Sequence, residues 1–348
     1  MTVHEGKPTG SESPDPESRV LLRVRGLHTR FLTTRGPVYA VNGVSFSLQR
    51  GESLALVGES GCGKSATVLS LLGLLPARSA SVTAQEVSFG QRDLLSVDEQ
   101  VMQRIRGAEI GMIFQDPRGS LNPVLTVGRQ LTESLEVHMG LGSGQARTSA
   151  IELLRSVGVP DPEARLDDYP HQFSGGMCQR VMIAMALGCT PSLLIADEPT
   201  TALDVTIQAQ IVKLIAAHRA EHDMAMIWIS HDLSVVAQIA DRVAVMYAGL
   251  IVEYAPAREI FGSPRHPYTR GLLASVPTLE DPKADSLSAI PGQPPDMSKQ
   301  PVGCAFSDRC SHAFERCRTE APALSPVGPD AYVACWWDAE ADRSREAV

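Results

Sequence analysis

The sequence predicts an α/β fold: a phosphate-loop core with an antiparallel β subdomain, an inserted helical subdomain and a small C-terminal extension containing cysteines. Three observations carry this prediction. Gly58-Glu59-Ser60-Gly61-Cys62-Gly63-Lys64-Ser65 fits the pattern G-x-x-x-x-G-K-S/T between an apolar strand and an apolar helix, the context that pattern requires. "SLLIADEPT" reads as a buried strand that ends in two acids, Asp197 and Glu198. Apolar and polar residues alternate before the loop, whereas from Leu125 to about Leu166 the spacing is helical, with Gly and Pro breaks.

Taken in order, residues 1–20 are polar and rich in Pro, Gly and Ser, without the basic-then-apolar order of a secretory signal; they read as a disordered N-terminal extension. "LLRVRGLHTRF" and "VYAVNGVSFSLQRGE" predict antiparallel strands with a turn at Gly51. "SLALVGESGCGKSATVLSLLGLL" is one strand–loop–helix unit ending at Pro76. Residues 91–110 carry charges at helical spacing, and "EIGMIFQDP" is a short buried strand closed by Asp116-Pro117, a turn-initiating pair. The helical subdomain spans about 118–176. Beyond it come a helix in "SGGMCQRVMIAMALG", the acid-ended strand, an amphipathic helix in "DVTIQAQIVKLIAAHRAEH" and a buried strand in "AMIWISHDL". Composition shifts near Val276 to a proline-rich stretch. This divides the chain into a core over 21–275 and an extension over 276–348. There is one phosphate loop and no internal repeat.

A length of 348 residues accommodates one large domain and a small one. The net charge of −9 gives no general attraction to nucleic acid or anionic lipid. No apolar run approaches the roughly 20 residues of a membrane-spanning helix, so the chain is expected to stay in the cytosol. Cysteines clustered in that reducing compartment suggest metal before disulfide. Four of the seven, Cys304, Cys310, Cys317 and Cys335, fall in the extension.

The phosphate loop dictates its own chemistry. Its glycines let backbone N–H groups wrap a phosphate, Lys64 neutralises the β- and γ-oxygens, the Ser65 hydroxyl ligates Mg²⁺, and Ala66 follows in the helix behind. Cys62 is a small filler. At the acid-ended strand, Asp197 is assigned to the Mg²⁺ shell and Glu198 to the attacking water as general base. Gln115 in "IFQDP", Asp204 in "TTALD" and His231 in "ISHDL" mean little singly, because such residues at strand ends are usually structural.

Their order carries more. Phosphate loop, Gln, "FSGGM", paired acids, "ALD" and His, in that sequence, resembles the ATP-binding cassette (ABC) ATPases from about Leu21 to Leu273. The resemblance implies a P-loop ABC-type ATPase core that uses ATP and Mg²⁺. It implies that Gln115 contacts Mg²⁺ and the water and couples the site to a membrane partner, and that His231 touches the γ-phosphate. Phe31 or Tyr39 would stack on adenine. Ser174, Gly175 and Gly176 match the family signature, which acts in trans on nucleotide held by a second cassette, so one cassette needs a partner cassette. The signature here reads Phe173-Ser174-Gly175-Gly176-Met177, where Leu and Gln are usual at its ends, and Cys178 stands where an Arg is usual.

"YPHQFSGGMCQRVMIAMALGCTPSLLIADEPTTALDVTIQAQI", with "RHPYTRGLLASVP" and "IPGQPPD" downstream, resembles the ATPase subunits of bacterial peptide importers, a group that also serves nickel and other small solutes. This implies a peripheral subunit on the cytoplasmic face of the bacterial membrane. Its implied partners are a second, non-identical ATPase subunit, two permease subunits and, indirectly, an extracytoplasmic solute-binding protein, with no nucleic acid. Di- or oligopeptides are the implied solutes, and a nickel chelate or glutathione is the alternative. In that group a tail of this cysteine spacing is associated with a 4Fe–4S cluster; four thiolates also suit tetrahedral zinc. A non-transport ABC ATPase acting on ribosomes or DNA would generally show two cassettes, coiled-coil insertions or basic surfaces, and none is visible in the sequence.

Overall fold

The structure, a computed structural model, describes residues 19–200, 204–275 and 290–344. The expected disordered extension lies almost wholly outside those residues, as does the start of the C-terminal extension. In chain order the strands are β1 (Val20–Thr33), β2 (Gly36–Gln49), β3 (Ser53–Val57), β4 (Ala80–Thr83), β5 (Glu86–Phe89), β6 (Arg92–Asp93) and β7 (Ile110–Ile113). They continue as β8 (Leu193–Asp197), β9 (Ala225–Ile229), β10 (Arg242–Tyr247), β11 (Leu250–Pro256), β12 (Ser325–Gly328) and β13 (Ala331–Val333).

The alternating segments form the expected antiparallel sheet, in the order β2-β1-β5-β6 with β4 also on β1. The hairpin of β1 and β2 closes tightly at Thr33 opposite Gly36. Several bulges interrupt its register; such irregularities bend a strand and increase its twist, which lets a long ribbon curl over the core. The second sheet runs β12-β13-β11-β10-β3-β9-β8-β7, and its five members from β10 to β7 are parallel. Every residue of β3, β8 and β9 is buried, as expected for parallel strands covered on both faces. Alternate residues of β3 serve opposite sides: Leu54 and Leu56 join the core under the antiparallel sheet, Ala55 and Val57 the core under the helices.

This topology places the site. The phosphate loop, Gln115, the acid pair and His231 all follow the C-terminal ends of parallel strands, and β3, β9, β8 and β7 are consecutive neighbours. Ligands of open α/β sheets bind at such strand ends.

Between β7 and β8 the chain forms helices at Pro117–Ser120, Val127–Met139, Ser143–Ser156, Pro162–Arg165 and Gly175–Leu187. Gly140, left-handed at φ 66°, ends the second of these, and Leu131 and Leu135 share a core with the small Ala146 and Ala150 of the next. Two local expectations shift. The helix after the phosphate loop spans only Lys64–Leu71, because Gly73 takes φ 59° and turns the chain before Pro76. Residues 91–110 hold one short helix, Glu99–Arg104. It passes into a wide turn broken at Arg106 and Gly107.

The extension does not rely on a core of its own. β13 pairs antiparallel with β11 and so widens the main sheet. Phe306, Cys317, Ala331, Val333 and Trp337 are buried, and Phe306 and Ala331 belong to the cassette's own core. Apolar residues of the tail thus add to an existing core.

Candidate nucleotide-binding site

The phosphate loop leaves β3 through backbone that only glycine adopts easily. Gly58, Gly61 and Gly63 have φ of 150°, 79° and 105°. A Cβ on Gly63 would lie 2.2 Å from the Ala40 carbonyl oxygen, so the loop is pressed against β2 with no room for a side chain. Lys64 is 5% exposed. Its Nζ donates to the Gly58 carbonyl at 2.8 Å and the Glu59 carbonyl at 3.0 Å, and points to Cys62 Sγ at 3.8 Å. Burial pushes the Cys62 thiol up, against the opposing pull of Lys64, so Cys62 packs as a neutral thiol.

Ser65 Oγ donates to Asp197 Oδ1 at 3.1 Å. Burial raises the pKa of Asp197, the Ser65 hydrogen bond lowers it, the Glu198 charge raises it and Lys64 lowers it. A buried carboxylate lacking full compensation beside a serine hydroxyl is an oxygen donor set suited to a hard divalent cation, so these residues fit Mg²⁺ with ATP. Glu198 follows immediately at φ 47°, a conformation uncommon outside glycine and concentrated at functional sites. Its backbone N–H donates to the Ile229 carbonyl at 3.0 Å, tying it to β9. Two of the residues singled out from the sequence converge on its carboxylate. Gln115 Nε2 donates to Oε2 at 3.3 Å, and His231 Nδ1 lies 3.4 Å from the same oxygen. Glu198 is largely buried and His231 mostly exposed, so the cluster opens on one side to solvent.

The other expected residues lie apart from this cluster. Ser174 caps the helix Gly175–Leu187, its Oγ accepting from Met177 N–H at 3.3 Å. Ser174, Gly175 and Gly176 share no hydrogen bond with the phosphate loop among the described residues. The unusual Cys178 is fully buried, and its thiol donates to the Pro170 carbonyl at 3.6 Å. Asp204 caps the helix Val205–His222 by accepting from Ile207 N–H at 2.9 Å. Phe31, on β1, is partly buried against the β-subdomain core, two residues beyond Thr29, whose hydroxyl meets Ser70 of the phosphate-loop helix at 2.7 Å. Tyr39, the other aromatic candidate, carries the Arg30 guanidinium 5.1 Å from its ring centre.

The expected four-thiolate centre gains no support from the geometry. Among the described residues, no group of three or more His, Cys, Asp or Glu side chains is placed to hold a metal ion. Burial pushes the Cys304 thiol up to about 11, with the nearby Cys317 and Cys310 adding to the rise, and burial also raises Cys310.

Two contacts to the loop went unread in the sequence. Tyr268 Oη accepts from Glu59 N–H at 2.8 Å, and the Arg309 guanidinium reaches the Glu59 carboxylate. Arg309 lies 250 residues beyond Glu59, within the cysteine-spaced segment but matching no position that the spacing marks, so only the fold brings the two together.

A phosphate loop, a serine–aspartate pair and a glutamate held between Gln and His at neighbouring strand ends, with a helical insertion and an antiparallel β subdomain, define an ATPase of the ATP-binding cassette type. The chain belongs to the ABC transporter family, whose profile matches residues 41–201, and the oligopeptide/dipeptide transporter C-terminal region matches residues 252–317. It is 49% identical over 334 residues to a probable peptide ABC transporter ATP-binding protein of Sinorhizobium fredii, covering 96% of this chain and 98% of that one. It is 52% identical over 316 residues to the dipeptide transport ATP-binding protein DppD of Bacillus subtilis, covering 91% and 94%. Among solved structures it is similar to the cassette MJ0796 in a post-hydrolysis state bound to ADP and Pi. That match has a TM-score of 0.62 and 25% identity, and covers 68% of this chain and 99% of the other. No helix among the described residues is long and apolar enough to cross a membrane.

Proposed function

We propose that this ATPase energises uptake of dipeptides or oligopeptides as one half of a cassette pair, attached peripherally to the cytoplasmic face of the bacterial membrane beneath two permease subunits. The observation that carries this reading is the near full-length similarity to peptide transport ATP-binding proteins, which extends through the C-terminal region. In this proposal the core is 21–275, with its helical subdomain near 118–176, and the extension is 276–348. ATP lies with its phosphates on Gly58 to Ala66. Phe31 packs at the adenine end, favoured over Tyr39 because Arg30 already occupies one face of the Tyr39 ring. Ser65, Asp197 and Gln115 would hold Mg²⁺, which neutralises phosphate charge when bound. Glu198 takes the proton of the attacking water, and Gln115 and His231 orient its carboxylate and report on the γ-phosphate. Ser174, Gly175 and Gly176 present a capped helix N-terminus to nucleotide on the partner cassette, and Asp204 belongs to the same junction. The partner is a second, non-identical ATPase subunit, and an extracytoplasmic binding protein supplies the solute.

The test is uptake. Bacteria lacking this chain should lose accumulation of labelled di- and tripeptides and regain it with the wild-type chain. Lost uptake of nickel or glutathione with peptide uptake intact would reassign the solute and keep the transporter.

The four extension cysteines are proposed to hold a 4Fe–4S cluster, with zinc as the alternative. Their number suits either centre, and Cys310 and Cys317 lie near enough to Cys304 to act on its charge. Protein purified without oxygen should carry about four irons and four sulfides per chain. One zinc without sulfide selects zinc, and metal-free protein with native stability ends the proposal.

A further inference from the structure

The phosphate loop is held from a point far along the chain. Arg309, on the single turn Ser307–Arg309, is 8% exposed. Its guanidinium grips the Glu59 carboxylate with two parallel bonds, Nη1 to Oε2 at 2.7 Å and Nη2 to Oε1 at 2.9 Å. Its other donors are also engaged: Nε with the Pro291 carbonyl at 2.8 Å, Nη2 with the Ile290 carbonyl at 3.3 Å, and Nη1 with Tyr247 Oη at 3.3 Å. A guanidinium has five N–H donors, and all five are used, so Arg309 has none left for a phosphate. Whatever it does for the nucleotide it does through Glu59.

Glu59 is restrained at three points. Arg309 holds its carboxylate, the buried Tyr268 hydroxyl accepts from its N–H at 2.8 Å, and Lys64 Nζ donates to its carbonyl at 3.0 Å. The rings behind are packed together, with Tyr247 and Tyr268 4.6 Å apart and Phe306 5.2 and 5.4 Å from them. A two-pronged arginine–carboxylate pair has a narrow range of geometries. A buried pair is weak as a net stabiliser, because desolvation offsets the attraction, and its better-attested use is to specify one arrangement over others. The arrangement specified here is that of the residue whose carbonyl seats Lys64.

We propose that Arg309 is a positioning residue for ATP binding: through Glu59 it fixes the phosphate loop in its nucleotide-ready form, so the C-terminal extension sets the affinity of the cassette. Arg309 sits between Cys304 and Cys310 on one hydrogen-bonded turn, in which Ser307 N–H donates to Cys304 and Cys310 N–H to Ser307. A shift of that turn is therefore felt at the loop. This inference rests on the loop binding ATP.

The test uses the full-length chain, Mg-ATP titrated by calorimetry, and thermal unfolding in parallel. If loss of the clamp leaves about a tenth of the molecules with a competent loop, the Kd of Arg309→Met rises roughly tenfold. Arg309→Lys should recover part of the loss, and Glu59→Ala combined with Arg309→Met should bind no more weakly than Arg309→Met alone. Arg309→Met and Glu59→Ala with wild-type Kd values but a lowered Tm would make the pair structural and overturn the proposal, as would additive effects in the double variant. Should Arg309→Met fail to fold, Arg309→Lys and Glu59→Ala, whose side chain is partly exposed, decide in its place: a wild-type Kd in both overturns it. A wild-type chain that does not bind Mg-ATP would remove the ATP site itself, a result distinct from equal binding by all variants.

Discussion

Glu198→Gln is expected to lower ATP turnover by about 10²- to 10⁴-fold, the range a positioned general base contributes, while ATP affinity stays at the wild-type level. The substitution preserves shape and lets the side-chain oxygen keep the hydrogen bond from Gln115 Nε2, but an amide cannot accept the proton of water. Affinity is spared because the phosphate-binding groups, the loop amides and Lys64, stand on β3 and its helix, whereas Glu198 stands at the end of β8. Phosphate release under saturating ATP, with a parallel binding titration, checks both halves. Turnover at the wild-type rate would move the base to another group.

Lys64→Ala is expected to weaken Mg-ATP binding on the order of 10²-fold, comparable to removing one preorganised donor from a water-poor anion site. The ammonium is nearly inaccessible and held by two loop carbonyls, so its charge acts in a medium that screens poorly. Its loss also leaves the Gly58 and Glu59 carbonyls without that partner. Thermal unfolding offers a direct measure: ATP raises the Tm of a protein it binds, and that rise should vanish in the variant at ATP concentrations that saturate the wild type. A retained rise would show that the loop amides alone suffice.

Where a motif is local, its structure was legible in the sequence. The phosphate loop needs only the glycines, lysine and serine of one octet, and buried parallel strands announce themselves as short apolar runs, as in β3, β8 and β9. The convergence of Gln115 and His231 on Glu198 was legible only as an order of motifs, because its cause is the adjacency of β9, β8 and β7. Helix ends were harder: Gly73 and Gly107 stop or break helices that apolar and charge spacing alone would continue. The Arg309–Glu59 pair was not legible at all, since neither residue differs in sequence from a surface arginine or a loop glutamate until the Tyr247 and Phe306 rings pack on the guanidinium. The cysteines show the reverse case, a conspicuous spacing for which the described residues offer no metal-holding group.

The pairing of β13 with β11 has a bearing on how the chain is made. Ile251, Val252, Glu253, Tyr254 and Ala255 are all buried, yet the partner that completes their ladder on one side is translated only after the whole intervening stretch. Until residues 331–333 emerge, the nascent sheet presents an apolar border with open N–H and C=O groups, the kind of template on which other chains nucleate. Ribosome stalling or truncation before that point should yield a product that is prone to aggregate even though every nucleotide-binding motif has already been synthesised.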